Sequence, residues 1–156
     1  MRATIQELVH APQTDYVEAF QAISHVNMEI QKMGPTPERL LRRAVLEIDM
    51  GSYVDARESI QDSLLAGHQA PEAMYYLGIV NVFLAMQKAG AIAAAAGQFA
   101  PEPARVHMEQ ACAAFRSALA LNEDEDLQAQ LEACEDLLEE APDEDAFVAL
   151  FDPDFV

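Results

Sequence analysis

A shift of 34 residues lays one segment of this chain on another. Pro37 falls on Pro71, Leu40 on Met74, Leu41 on Tyr75, Ala44 on Gly78, Val45 on Ile79 and Ile48 on Val82. Apolar residues meet apolar residues, and a small residue meets a small one where two helices would have to touch closely. A period of this length suits a helix–turn–helix unit, which cannot bury its apolar face alone and so must stack on a copy of itself. The chain is thereby steered toward packed helical hairpins and away from sheets.

Local signals point the same way. In "MGSYVDARESI", residues 50–60, Gly51 ends a helix that Pro37 opens in its first turn, Tyr53 wedges the corner and Ala56 permits close packing. The next helix carries Val54, Ala56, Ile60, Leu64 and Leu65 as its stripe. Upstream, Tyr16, Phe20, Ile23, Ile30 and Met33 recur at helical spacing, with Asp15 and Glu18 as a capping box and Gly34 as the stop before Pro35. A short helix is expected at 4–10. Downstream, Leu127, Leu131, Cys134 and Leu138 share one face of 125–141, with acids opposite. With 28 alanines among 156 residues and few alternating runs, the expected class is all-α.

The quoted turn and second helix, "GSYVDARESIQDSLLAG", resemble the tetratricopeptide repeat family, with Gly51, Tyr53, Ala56, Ile60 and Leu64 at motif places. "AMYYLGIVNVF" is similar to the next first helix, through Met74, Leu77 and Gly78, and "ACAAFRSALALN" to its second, through Ala111, Phe115, Ala118 and Leu119. The likeness covers about residues 37–140. It departs from the pattern at Arg43, where the next unit has Leu77, and at Ser63, where Ala118 stands later. Between Gly78 and Ala111 lies an excess of 21 residues, about 87–107, rich in alanine. This insertion is expected to lengthen two helices and break at Gly97 and "FAPEPA". The resemblance implies a helical-hairpin solenoid: an N-terminal helical segment (1–36), a repeat domain closed by a polar capping helix (37–141) and an acidic, aromatic tail (142–156).

Charge narrows the partners. The net charge is −18, and residues 122–156 hold 14 of the 27 acidic side chains with no lysine or arginine. Such a field repels phosphate backbones and anionic lipid heads, so nucleic acid and membrane surfaces are disfavoured. The most apolar window, residues 73–86, includes Asn81 and is too short to span a bilayer. The start, "MRATIQELVH", lacks the apolar core of a secretory signal. Cys112 and Cys134 fall on helices in apolar company, where buried free thiols are expected. A reducing cytoplasm is the expected location.

Residues suited to catalysis are scarce. His10, His25, His68 and His107 stand in no nucleophile or metal spacing, and His107 with Cys112 does not share one helix face. No glycine-rich phosphate loop, H-E-x-x-H helix or CxxC pair occurs, and "NEDED" lacks the glycine and terminal glutamate of a calcium loop. Neither an enzyme nor a cofactor or metal site is expected.

In the family the resemblance points to, the first helices of successive units line a concave groove. Carried onto this chain, that surface comprises Leu41, Val45, Ile48, Tyr75, Ile79 and Val82. It is apolar and would need a cover: the N-terminal helix, a partner's helix or extended segment, or a second copy or the chain's own tail. In the tail, Phe147, Leu150 and Phe151 follow an i, i+3, i+4 pattern with Phe155 beyond. They suit either the chain's own core or a pocket on another protein. The expected function is a protein–protein interaction module, an adaptor or small chaperone, that binds an apolar segment. The alternatives are a chaperone similar to those of bacterial type III secretion, or a homodimer or larger homo-oligomer whose groove serves itself.

Overall fold

The computed structural model describes residues 16–67 and 71–151, and among them the chain is all-helical. The elements are α1 (Tyr16–Met33), α2 (Pro37–Asp49), α3 (Tyr53–Leu65), α4 (Pro71–Lys88), α5 (Ala104–Leu121), α6 (Glu125–Glu140) and α7 (Glu144–Ala149). The helix expected at 4–10, Asp15 of the capping box and Phe155 lie outside the described residues.

Three helices begin on a local side-chain cap. Thr36 Oγ1 accepts the Arg39 N–H at 3.2 Å to open α2, with Pro37 in its first turn. Asp124 and Asp143 do the same for α6 and α7, accepting from Leu127 N at 3.1 Å and Ala146 N at 2.8 Å. Arg39 also donates to the carbonyl of Gly34, which tethers the end of α1 to the start of α2.

The helices pack in chain order. The α2–α3 and α4–α5 hairpins are the main contacts, α3 joins them, and α6 covers α5. At the centre is α4, in which every residue from Ile79 to Met86 is buried. An element buried on all sides belongs to the core of the fold, not to its surface. Tyr53 stacks on Phe83 with ring centroids 5.0 Å apart, fixing the α2–α3 corner against α4. Small residues occupy the closest contacts: Ala44, Ala56, Ala111 and Ala118 are fully buried, and a Cβ on Gly78 would lie 2.3 Å from the Phe115 ring.

The insertion differs from its expected form. Instead of lengthening α4 and α5, residues 89–103 are irregular and fold back on the α2–α3 turn. Gly90, at φ +83°, closes α4, and the Ala91 N–H returns to the Met86 carbonyl at 2.9 Å. Ala95 N–H donates to the Gly51 carbonyl at 3.0 Å. Gln98 binds Asp55 twice, accepting its backbone N–H at 3.0 Å and donating to its carboxylate at 3.1 Å. A Cβ on Gly51 would approach Ala95 N to 3.3 Å, so glycine serves that corner both by its φ of +77° and by its lack of bulk.

The start of the tail is built into the domain. Phe147 is fully buried, and Leu150 and Phe151 are half-buried against the core. Glu144 accepts the first N–H groups of α5, from Ala104 at 2.7 Å and Arg105 at 2.9 Å. The Arg105 guanidinium returns the contact, reaching the Ala141 carbonyl at 2.9 Å and the Leu138 carbonyl at the end of α6. Two helix ends thus satisfy their orphan groups through one reciprocal pair.

Candidate functional site

Between α2 and the first turns of α4 lies an open cleft of about 410 Å³. Leu41, Val45 and Leu46 of α2 and Tyr76 of α4 form its apolar floor, and Glu38 and Glu72 stand at its rim. Arg42 also lines it, but its guanidinium is bonded to the Glu29 carboxylate of α1. The neighbouring arginines are engaged as well. Arg39 serves the Gly34 carbonyl, and Arg43 donates to Ser59 Oγ at 3.2 Å and Asn27 Oδ1 at 3.3 Å. None of the described cations pairs with Glu38 or Glu72. The rim therefore presents unneutralised carboxylates over an apolar floor.

The six residues expected to line a groove divide between this cleft and the core. Leu41 and Val45 line the cleft. Ile48 is half-buried against the core, and Tyr75, Ile79 and Val82 are enclosed at 7 %, 2 % and 2 % exposure. On α4 the apolar side chain that lines the cleft is Tyr76, one position from Tyr75. Nothing in the apolar pattern of α4 singles it out, because the helix is apolar almost all round. The adjacent pair of tyrosines, each carrying a polar tip, was the available signal.

A second network joins α2, α3 and α1. Glu47 Oε1 accepts the Ser59 hydroxyl at 2.6 Å and lies 3.8 Å from Arg43 Nε. Burial pushes the Glu47 carboxyl above its usual range, only partly offset by Ser59 and Arg43. This accounts for Arg43 at a place where apolar packing was expected: its charge is spent on a half-buried carboxylate.

The histidine and cysteines fall apart from each other. His107 is fully buried and its Nε2 accepts the Glu102 N–H at 3.2 Å. Cys112 and Cys134 are buried free thiols, and the neighbouring Cys112 together with burial pushes the Cys134 thiol up. Such a thiol is a poor nucleophile. Among the described residues no group of three or more His, Cys, Asp and Glu side chains is placed to hold a metal ion. No described helix is long and apolar enough to cross a membrane. No protein-family model, curated protein or solved structure matches the chain.

Proposed function

We propose that this chain is a non-catalytic protein–protein interaction module, an adaptor or small chaperone, that holds an apolar helix or extended segment of another protein in the α2–α4 cleft. The cleft itself carries the reading: four apolar side chains over about 410 Å³, open to solvent and bordered by carboxylates. Leu41 is already buried and Val45, Leu46 and Tyr76 are half-buried, so covering the floor returns only part of the roughly 1.5–3 kcal/mol that a fully exposed side chain would, and charge at the rim has to contribute to any affinity. The acidic rim, on a chain of net charge −18, favours a segment flanked by lysine or arginine.

A tetratricopeptide-like arrangement is part of the proposal. It is supported by α2 and α4 starting 34 residues apart, at Pro37 and Pro71, and by the small residues buried between the helices. In such an arrangement the cleft would be one end of the concave face. A second reading, self-association, is favoured by one observation: Val17, Phe20 and Met28 lie exposed on a common side of α1, away from buried Ala19 and Val26.

The test is capture of binding proteins by the wild type and by Val45→Glu, both first shown to be folded by circular dichroism. A protein retained by the wild type and lost from the variant supports the cleft. Equal retention by both overturns it.

A further inference from the structure

The buried imidazole of His107 does one specific thing: it holds the insertion in place. Its Nε2 accepts a hydrogen bond from the backbone N–H of Glu102, at 3.2 Å. That nitrogen must therefore be bare, and the ring proton sits on Nδ1. Nδ1 lies 3.5 Å from Glu102 Oε2, and the same carboxylate oxygen accepts from Arg57 Nη1 of α3 at 3.2 Å. One residue of the insertion is thus held at its backbone by the α5 imidazole and at its side chain by Arg57 of α3, while the buried Nδ1 of His107 itself makes no hydrogen bond. From this clasp the segment runs back through Ala100, whose N–H meets Gln87 Oε1 at 3.0 Å, and Gln98 on Asp55, to Ala95 on Gly51.

We propose that His107, Glu102 and Arg57 form an acid-released latch, which pins residues 89–103 on the α2–α3 turn while Nε2 is bare and frees them when Nε2 takes a proton. A proton on Nε2 would point at the Glu102 N–H, so two donors would face each other and the backbone bond would be lost. The charged ring would also lie in a fully buried place. The groups that face it are Glu102 from the insertion, Arg57 from α3, Lys88 from α4 and Gln110 from α5. Arg57 and Lys88 oppose the imidazolium. Glu102 attracts it, but shares its carboxylate with Arg57. Burial dominates and holds the imidazole below its ordinary 6.5.

The sign follows. Below pH 6.5 an unfolded or unlatched His107 binds protons that the latched one refuses, so acid drives the latch open and the loss is complete at the depressed value. What is released is a segment with no charged residue from Ala89 to Pro101, carrying Phe99 at 77 % exposure. The latch would thereby control how an uncharged, aromatic loop is presented on a strongly acidic protein.

Amide hydrogen exchange on the full chain tests this, at about pH 7.5 and about pH 5, with rates corrected for intrinsic pH dependence. The amides of Ala95, Ala100 and Glu102 are expected to lose about tenfold or more of their protection in acid, while the α4 amides keep theirs. His107→Gln offers an uncharged acceptor and should abolish the difference between the two pH values. Nitrogen-15 imidazole shifts of the wild type give a readout independent of that variant's folding, and should show the Nδ1–H tautomer at the higher pH. Loop protection that is unchanged at about pH 5, a loss that persists in His107→Gln, or an Nε2–H tautomer would each overturn the latch.

Discussion

Gly78 sits where any side chain would meet a wall. A Cβ there would lie 2.3 Å from the ring of Phe115, itself fully buried and unable to swing aside. Gly78→Ala is therefore expected to lower stability by about 1–3 kcal/mol despite the better helix propensity of alanine, as read from a denaturant melt. Glu47 is governed by burial. Its raised carboxyl pKa means that the folded state holds the proton more tightly than the unfolded chain does. Its favourable contribution is full below the ordinary 4.5 and is lost as pH rises through the folded value. Glu47→Gln should remove that component, so the stability difference between variant and wild type should shift in the variant's favour from acidic to neutral pH. Melts at a series of pH values check this. A difference that is independent of pH would contradict it.

Element-scale energetics separate the residues that make the core from those that border the cleft. Ile79→Glu places a carboxylate inside α4 with no partner and should cost about 3–5 kcal/mol, whereas Val45→Glu, half-buried at the cleft, should leave the helical signal intact. Truncation after Pro142 removes the buried Phe147 and the Glu144 cap on α5. It should cost about 3–5 kcal/mol from the ring alone, so the shortened chain melts markedly earlier. The helices themselves were legible, because Pro37, Gly51, Asp124 and the apolar spacings are local signals that the fold keeps. The insertion was not. Alanine propensity alone predicts helix over 89–96, yet short methyl groups have little surface to bury, and helices in water are held mainly by packing. The Ala95 N–H bond to the Gly51 carbonyl, distant in sequence, and the Ala100 N–H bond to the Gln87 side chain at the end of α4 hold that segment instead.

At the scale of the molecule, local stop and start signals such as Gly51 and Pro37 marked the ends of the helices, but the apolar pattern did not tell which face would remain open. Periodicity marks an apolar face only when the opposite face is polar. In α4 it is not, so Tyr75, Ile79 and Val82 turn inward and Tyr76 alone borders the cleft from that run. The arginines of α2 are engaged by Glu29, the Gly34 carbonyl and Ser59. What stays outside these pairings is acidic, and so a bound segment should carry positive charge and its binding should weaken with salt.

The most direct measurement is a titration of the nitrogen-15-labelled chain with a synthetic amphipathic helix bearing leucines at i, i+3 and i+4 and flanking lysines, followed by amide shifts. Binding in the cleft predicts saturable shifts centred on Leu41, Val45, Leu46 and Tyr76, lost in Val45→Glu. Shifts centred elsewhere, as on the exposed side of α1, or none at any concentration, would contradict it.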